Sequence, residues 1–352
     1  MRIAITADPY LPVPPMAYGG IERVVDFVCR GLAKRGHQVT LFAHPRSNTA
    51  GQLVAYGCPP HRGITTRFKE LWQLGSALYW RRKQFDVVIS WGRLAALLPI
   101  LPFRSLPKIQ RYCRDVVPWT SVARASRLAG NSIRFAGAST SVYRTNQNPA
   151  PAGCWVTIHD GVEVENYTFV RKVEPNAPLA FLGRLHPMKG AHFAIAVAKA
   201  ATRQLIIAGN REKSADDPNY FEREIAPHLD KGQISYIGPV NDAEKNVLLG
   251  KCAALLFPSE YKEAFGIVMA EAMACGTPVL AKPRGSVSEV VRTGVSGFVC
   301  DSLPEFVESV LKLESLDRKL IRCECETRFD AGIVVKQFEE LCLQMITRDR
   351  LR

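Results

Sequence analysis

Short apolar runs alternate with longer stretches in which apolar residues recur at helical spacing. Residues 2–7 are one such run, and QVTLFA at 38–43, just after Gly36, is another. The apolar positions between them fall on one face of a helix: Ile21, Val24, Val25, Val28 and Leu32. This order predicts a strand, a helix over about 21–35 and a second strand, the repeating unit of a parallel, doubly wound α/β sheet.

The same alternation continues along the chain. Further strands are predicted at 86–90, 205–210 and 234–240, and a helix over 66–83. The two later strands each lead into a glycine. Strand ends of this kind line the ligand crevice of an open α/β sheet, so a binding site is expected at this edge.

At 352 residues the chain is too long for one ordinary core, so two domains are expected. An apolar fraction of 47% and a charged fraction of 22% are typical of a globular protein. The first residues read as a strand and a proline loop, without the pattern of a signal peptide. The longest apolar run, 94–103, carries two prolines and is far shorter than the roughly 20 residues of a membrane span.

The cysteines and the charge distribution bear on where the protein works. The ten cysteines are scattered without CxxC, so reduced thiols in the cytoplasm are the simplest account. Residues 1–167 carry 21 Lys and Arg against 9 Asp and Glu, whereas the remainder is nearly balanced. A basic half indicates an acidic partner or an anionic membrane surface, with ordinary solubility as an equal alternative.

The predicted helix over 66–83 combines aromatic and basic side chains. A leucine stripe that can pack on a sheet runs through Leu71, Leu74 and Leu78. Trp72 and Trp80 stand among arginines and lysines, a combination that suits an anionic membrane interface. The protein would then be peripheral at the inner face of the membrane. A helix with one packed and one solvated face is the simpler alternative.

The stretch 257–276, FPSEYKEAFGIVMAEAMACG, holds the strongest candidate chemistry. Glu263 and Glu271 stand eight residues apart with no other charge between them. A continuous helix would bring both carboxylates to nearly the same side. Gly266 stands where a helix should begin, and the free N–H groups of a helix start suit an anionic or hydroxyl-rich ligand. A capped helix with two solvated glutamates is the alternative.

Two further loops suit a phosphate. Gly19 and Gly20 lie at the predicted start of the first helix, where a backbone without side chains can approach a diphosphate. Arg184 and Lys189 stand five residues apart after an apolar run, and two cations on one loop can neutralise a diphosphate leaving group. An ordinary glycine turn and plain surface charge are the alternatives. No GxGxxG occurs, which counts against a dinucleotide enzyme.

Nearly the whole chain resembles the retaining glycosyltransferases of family 4. The resemblance is carried by PSEYKEAFGIVMAEAMACGTPVLA, GSVSEVV and GVSGFV, and it is strongest over 178–302. It implies the GT-B fold, in which two Rossmann-like, doubly wound α/β domains face a central cleft. The acceptor-side domain would comprise 1–167 with a return helix at about 331–352, and the donor-binding domain would comprise 168–330.

The resemblance also implies roles for the residues that match its motifs. Arg184 and Lys189 would stabilise the charge of the leaving group. Glu263 would hold sugar hydroxyls, and Glu271 would accept hydrogen bonds from the ribose. The implied donor-binding set is Gly19, Gly20, Asn210, Gly238, Val240, Ala264, Phe265, Gly266, Ile267, Val268 and Glu271.

The chain departs from the family pattern on the acceptor side. The family places a histidine after a strand where this chain has Gln110 to Asp115, and Asp115 is either its substitute or a solvated loop acid. No DxD occurs, so we expect no metal, and no cofactor besides the nucleotide sugar as cosubstrate. The family retains the anomeric configuration without a firmly assigned nucleophile, and the same is expected here.

The resemblance therefore predicts a retaining hexosyltransferase that takes a sugar from a nucleotide sugar, with UDP the family's commonest carrier. The expected acceptor is a cell-envelope glycan or a lipid-linked or phosphorylated molecule; a soluble natural product or other small molecule is the alternative. No nucleic-acid partner is expected. A sugar-nucleotide epimerase, a phosphorylase and a non-catalytic carbohydrate-binding protein are the alternatives of other classes.

Overall fold

The computed structural model describes residues 1–16, 19–57, 63–145, 148–211, 217–229 and 232–350. The chain divides into two compact units, each built on a parallel sheet with flanking helices. We call Met1–Asp160 with Ala331–Arg352 the first unit, and Gly161–Asp330 the second unit.

The described strands follow one another along both units. They are β1 (Arg2–Thr6), β2 (Gln38–Ala43), β3 (Gln52–Ala55), β4 (Val87–Ser90), β5 (Lys108–Tyr112), β6 (Ile133–Gly137), β7 (Trp155–Thr157), β8 (Leu179–Leu182), β9 (Leu205–Ala208), β10 (Ile234–Tyr236), β11 (Ala254–Phe257), β12 (Val279–Ala281) and β13 (Gly297–Val299).

The described α-helices lie between the strands and at the end of the chain. They are α1 (Gly20–Lys34), α2 (Ile64–Arg81), α3 (Trp119–Ala129), α4 (Ala191–Ala200), α5 (Tyr220–Glu224), α6 (Asp242–Lys251), α7 (Ile267–Ala274), α8 (Val287–Val290), α9 (Leu303–Leu311), α10 (Arg318–Arg328) and α11 (Ala331–Arg350). None of these helices is long and apolar enough to cross a membrane.

The described sheet of the first unit has the strand order β3-β2-β1-β4-β5-β6-β7, with every pair parallel. Ile3 of β1 lies in register with Val39 on one side and Val87 on the other, and all three side chains are buried. The order therefore reverses direction between β1 and β4. Loops that leave the carboxyl ends of these two strands diverge there and open a crevice.

The second unit repeats this arrangement with the order β10-β9-β8-β11-β12-β13 in its described part. Leu179 of β8 pairs with Leu205 of β9 on one side and with Ala254 of β11 on the other. The reversal thus falls between β8 and β11. The strands are apolar on both faces, as expected of parallel strands covered by helices.

The elements predicted from apolar spacing are confirmed. The helix predicted over 21–35 is α1, the helix predicted over 66–83 is α2, and QVTLFA is β2. In α1 the buried positions include Val24, Val25, Val28 and Leu32, which is the face that the spacing indicated.

The first unit ends earlier than the predicted boundary at residue 167. Arg111 of β5 has a fully buried guanidinium that donates a 2.7 Å hydrogen bond to the Asp160 carboxylate, so Asp160 belongs to the first unit. Two residues later the Val162 N–H donates to the Phe329 carbonyl at 2.9 Å, within the second unit. Residues 161–167 therefore belong to the second unit.

Candidate active site

The candidate donor site lies where the second sheet reverses its strand order. Gly183 and Arg184 leave the end of β8, and Pro258 and Ser259 leave the end of β11, its neighbour in the sheet. Ligands of open α/β sheets bind in the crevice at such a point. The carboxyl ends of β9, β12 and their neighbours extend the same edge.

The loops after β8 and β11 are held close together by backbone contacts. Gly190 has φ 77°, and a Cβ built on it would lie 2.5 Å from the Pro258 carbonyl oxygen. Only glycine accommodates both the left-handed backbone and this approach. The Glu260 N–H donates to the Met188 carbonyl at 2.8 Å and joins the loops a second time.

The approach of these two loops brings together one predicted cation and one predicted carboxylate. The Lys189 ammonium forms a short ion pair with Oε1 of Glu263, and both side chains are largely buried, with 19% and 15% of their surface exposed. The ammonium also lies 5.4 Å from the centre of the Tyr261 ring. Arg184 stands half-buried at the start of the same loop.

The prediction that Glu263 and Glu271 share one helix is wrong. Helix α7 begins only at Ile267, and Gly266 before it takes the left-handed conformation with φ 78°, which ends any continuous helix. Glu263 lies in the preceding loop, where its carbonyl accepts a 2.9 Å hydrogen bond from the Ser286 N–H. The expectation that a helix begins at Gly266 is confirmed.

The residues from 264 to 268 form the turn before α7 and the start of that helix. Ala264 and Phe265 are buried, and the Phe265 ring packs edge-on against Phe329 at 5.2 Å. Ile267 and Val268 are half-buried in the first turn of α7, whose N-terminus has no side-chain cap. The free N–H groups of that turn are donors for an anionic or hydroxyl-bearing ligand.

Glu271 lies in the second turn of α7 and is nearly buried, with 8% of its side chain exposed. Its Oε1 accepts hydrogen bonds from the Lys245 ammonium at 2.5 Å and from the Tyr167 hydroxyl at 2.9 Å. Burial alone would lower the pKa of Lys245, but the charge and hydrogen bond of Glu271 raise it above its usual value. In the described residues, Oε2 of Glu271 accepts no hydrogen bond.

Lys245 and Tyr167 contact the candidate site residue Glu271, and the sequence did not reveal them. They lie 26 and 104 residues from Glu271, on α6 and ahead of β8. A charge partner at such separation leaves no local spacing signal, because the sheet topology alone brings it near.

The exits of β9 and β10 hold the residues expected near the base of the nucleotide. Gly209 donates its N–H to the Gly238 carbonyl at 2.8 Å, and Asn210 accepts at its carbonyl from the Leu185 N–H at 2.8 Å. A Cβ on Gly209, whose φ is 143°, would lie 1.7 Å from the Gly183 carbonyl oxygen. The exits of three strands are thus joined. Asn210 is exposed and Val240 half-buried at this edge.

The loop after β12 adds cations that were not predicted. Lys282 forms a short ion pair with Glu260, and its ammonium lies 4.0 Å from the centre of the Phe193 ring. The Arg284 guanidinium bonds Glu260 at 3.0 Å and Asp301 at 2.9 Å. The hydrogen bond from Lys282 is the main cause that lowers the pKa of Glu260.

Gly19 and Gly20 belong to the first unit, whereas the other predicted site residues belong to the second. Gly20 opens α1 and Gly19 precedes it, as predicted. A Cβ on Gly19 would lie 2.7 Å from Pro15 and 2.9 Å from a Glu22 carboxylate oxygen. In the run where a histidine was expected, Arg111 is tied to Asp160, and Asp115 lies half-buried after β5.

Family models match both halves of the chain. Residues 167–328 match the model described as glycosyl transferases group 1. Residues 18–114 match the model described as glycosyltransferase family 4.

Characterised proteins and solved structures resemble the chain as well. It is 23% identical to a glycogen synthase of Mycobacterium tuberculosis, over 85% of this chain and 82% of that protein. It is 30% identical to a D-inositol 3-phosphate glycosyltransferase of a Mycobacterium species, over 41% of this chain and 35% of that protein. The structure of Anabaena Alr3699/HepE in complex with UDP and glucose superposes with a TM-score of 0.71 at 19% identity, covering 98% of this chain and 100% of that one.

Proposed function

Because this chain belongs to the family-4 glycosyltransferases and has their GT-B fold, we propose that it moves a hexose, with retention, from a UDP-sugar to a cell-envelope acceptor. The proposed acceptor is a glycan or a lipid-linked or phosphorylated molecule. The observation that carries the proposal is the ion pair of Lys189 and Glu263 at the reversal point of the second sheet.

The pair supports donor binding because it places a cation and a carboxylate side by side at the ligand edge. Lys189, with Arg184 on the same loop, would stabilise the negative charge that develops on the departing diphosphate. Glu263 uses Oε1 for Lys189, and its second oxygen would accept hydroxyls of the sugar. The uncapped start of α7 adds backbone donors beside them.

UDP is the proposed carrier. Glu271 has one carboxylate oxygen engaged by Lys245 and Tyr167, and its other oxygen would accept a ribose hydroxyl. The neighbouring structure of HepE holds UDP and glucose, which supports the same class of donor here. The transfer is proposed to need no metal, because the sequence has no DxD and Arg184 and Lys189 supply positive charge.

An anionic membrane surface is the proposed place of action. Helix α2 exposes three large rings to solvent: Phe68, Trp72 and Trp80, each with at least 70% of its surface exposed. Arginines and lysines flank these rings on the same helix, so the face combines apolar area with charge that complements anionic lipid. The D-inositol 3-phosphate glycosyltransferases among the relatives support an acceptor that carries phosphate.

The test is acceptor-dependent release of UDP from a panel of nucleotide sugars. We first expect one sugar nucleotide to raise the melting temperature of the protein more than the others, since a selective ligand stabilises by mass action. With that donor, extracted envelope lipids or glycans should trigger UDP release by the wild-type protein. Lys189→Ala should slow the release at least tenfold, whereas Lys251→Ala, on the exposed end of α6, should not.

Other outcomes would reject the proposal. Release of UDP without any acceptor product, or interconversion of two sugar nucleotides, would indicate hydrolysis or epimerisation. Phosphate-dependent cleavage of a glycan would indicate a phosphorylase. Equal rates in wild type and Lys189→Ala would remove Lys189 from the site.

A further inference from the structure

Glu260 lies in the loop after β11, three residues before Glu263. Both of its carboxylate oxygens are engaged by cations from the loop after β12. Oε1 accepts a short hydrogen bond from the Lys282 ammonium, and Oε2 accepts one of 3.0 Å from the Arg284 guanidinium. The proposed transfer leaves Glu260 without a role, although it forms two ion pairs at the ligand edge.

The backbone beside this carboxylate is tied to the loop after β8. The Glu260 N–H donates to the Met188 carbonyl at 2.8 Å, and the Ser259 hydroxyl donates to the same carbonyl at 3.3 Å. Met188 directly precedes Lys189, the cation of the candidate site. Glu260 therefore joins its own loop to the loop after β8 through its backbone, and to the loop after β12 through its side chain.

The two cations that bind Glu260 are themselves held in place. The Lys282 side chain is only 9% exposed, and its ammonium lies 4.0 Å from the centre of the Phe193 ring of α4. The Arg284 guanidinium also bonds Asp301, which follows β13, at 2.9 Å. A line of alternating charges thus runs along the ends of β11, β12 and β13.

Glu263 packs directly against the loop that these charges hold. Its carbonyl accepts a 2.9 Å hydrogen bond from the Ser286 N–H, and a Cβ on Gly285 would lie 2.3 Å from that carbonyl oxygen. The Glu263 side chain forms the ion pair with Lys189. A shift of the loop after β12 would therefore displace the backbone that carries one half of this pair.

The charge of Glu260 favours the observed position of the loop after β12. The hydrogen bond from Lys282 is the main cause that lowers the pKa of Glu260, so the carboxylate is ionised at neutral pH. Without that charge, Lys282 and Arg284 would repel each other as like charges. The largely buried Lys282 ammonium would also lose this carboxylate, which is costly. Loss of the charge therefore favours separation of the loops after β11 and β12.

We propose that Glu260 is a positioning residue for the transfer, which holds the loop after β12 against Glu263 and so keeps the Lys189–Glu263 pair in a productive geometry. A displacement of about 1 Å at a reacting group can cost about 100-fold in rate. A carboxylate that touches neither donor nor acceptor can therefore control the rate. This inference rests on the proposed function and adds a residue that acts on its catalytic step.

A measurement without substrate tests whether Glu260 holds the loops. Glu260→Gln keeps the shape of the side chain and removes its charge. In hydrogen–deuterium exchange of the full-length protein, this variant should exchange about fivefold faster or more at 259–266 and 282–287, because the loops open more readily. Glu308→Gln is the matched control, since it removes the same charge from an ion pair on α9 in which Glu308 is 63% exposed. Exchange at both loops should be unchanged in the control.

Kinetics separate positioning from a general loss of stability. The assay is UDP release from the sugar nucleotide that stabilises the protein most, with extracted envelope lipids or glycans as the acceptor. Glu260→Gln should lower kcat about tenfold or more and change the KM for the donor less than about threefold, because the lost interaction acts on the transition state. A melting curve of each variant gives the folded fraction, by which kcat is corrected.

A second variant makes the result specific to the ion pair. Lys282→Gln should lower kcat as Glu260→Gln does, because it removes the same hydrogen bond from the other side. The double variant should be no slower than the slower single variant, since the effects of two residues in direct contact do not add. Losses that multiply in the double variant would mean that the two residues act independently.

The proposal is overturned if Glu260→Gln leaves exchange at both loops unchanged, or if Glu308→Gln changes it equally. It is also overturned if Glu260→Gln has the kcat of the wild-type protein, or if the losses in the double variant multiply. A wild-type protein that releases no UDP rejects the proposed function, and the positioning role with it. Normal release by both wild type and Glu260→Gln rejects the role of Glu260 alone.

Discussion

Glu271 illustrates how a single buried carboxylate is paired within one unit. Lys245 and Tyr167 both bond its Oε1, so one oxygen is neutralised within the second unit while the other stays available. Replacement by alanine would leave the nearly buried Lys245 ammonium with Asp242, which lies 3.0 Å away and is 58% exposed, as its remaining charge partner. Such a change costs stability as well as binding, because a buried charge that loses a partner is expensive.

We therefore predict separable effects for two variants at this position. Glu271→Gln keeps the shape and removes the charge, and it should raise the dissociation constant for UDP about tenfold with a small loss of stability. Glu271→Ala should raise the constant similarly and also lower the free energy of unfolding by about 3 kcal/mol. Calorimetric titration with UDP and denaturant unfolding measure the two effects. Unchanged affinity in both variants would place the ribose elsewhere.

At the residue scale, the sequence indicated which residues belong to the candidate site better than it indicated how those residues are arranged. The loop after β8 indicated Lys189 and the motif at 257–276 indicated Glu263, but their direct pairing depends on the approach of Gly190 to Pro258, which no spacing encodes. Glu263 was placed on a helix because eight residues match two turns. The left-handed Gly266 prevents this, and glycine is the residue that adopts such a conformation most readily.

Among the elements, α10 is joined to the rest of the second unit by arginines that donate to backbone carbonyls: Arg318, Arg322 and Arg328. Arg318 is the most buried of the three. The Arg318 guanidinium donates to the carbonyls of Val170, Cys252 and Gly250 and to the Thr277 hydroxyl, and no carboxylate is among these partners. Burial lowers the pKa of Arg318 to about 10, which leaves it charged at neutral pH. It satisfies carbonyls at the end of α6 that would otherwise lack donors.

Arg318→Met should lower the free energy of unfolding by about 3 kcal/mol, because several buried carbonyls lose their donor at once. Arg292→Met is the control in the same unit, since the Arg292 side chain is 59% exposed and forms an ion pair with Glu324. That variant should change stability by about 0.5 kcal/mol or less. Equal losses in chemical denaturation would show that Arg318 does not anchor the helix.

Helix α2 carries a prediction about membranes. Trp72→Ser combined with Trp80→Ser should weaken binding to phosphatidylglycerol vesicles about tenfold or more, because both rings would lose their burial in the interface. The fold should be unchanged, since the rings are 77% and 78% exposed. Leu320→Ser removes an exposed apolar side chain from the second unit and is the control.

Vesicle sedimentation at low and high salt measures this binding. Equal binding by the double variant and wild type would mean that α2 does not meet the membrane. Loss of binding by Leu320→Ser would contradict the assignment to this helix.

The elements themselves were largely predictable. Apolar spacing located α1, β2 and α2 to within a few residues, because burial on one face sets the period directly. The exposure of Trp72 and Trp80 was not predictable, since the same aromatic residues could have packed against the sheet. Only the position of the helix on the unit decides which face is covered.

In the whole molecule, the C-terminal helix α11 returns to the first unit. Gly31 of α1 lets Val335 pack close, and the Glu339 carboxylate bonds Arg35 and His37 at 2.7 Å each. The hydrogen bond from His37 and the charge of Arg35 lower the pKa of Glu339 below that of an ordinary glutamate. The bonds of Glu339 to Arg35 and His37 therefore join α11 to the segment that follows α1.

This shift predicts a pH dependence of known sign. Because the folded pKa is lowered, Glu339 contributes stability above its ordinary pKa of about 4.5 and loses that contribution as the pH falls through the folded value. Glu339→Gln should therefore destabilise by about 0.5–1 kcal/mol at pH 7 and by progressively less below pH 4.5. Calorimetric melting across this range measures the difference, and a difference that grows toward low pH would contradict it.

The chain length and the alternation of strand and helix patterns predicted two α/β domains. They did not predict the residue at which the first domain ends. The chain leaves the first unit at Asp160 because Arg111 holds that carboxylate, a contact across 49 residues. The sequence of a loop between two apolar patterns does not indicate which of the two domains the loop will join.

The most direct test of the central claim is hydrogen–deuterium exchange of the full-length protein with and without UDP. The account predicts slower exchange at 183–190, 237–240 and 263–271, where the β8 loop, the β10 exit and the start of α7 meet the ligand edge. No protection on UDP addition, or protection confined to the first unit, would contradict a donor site built on Lys189, Glu263 and Glu271.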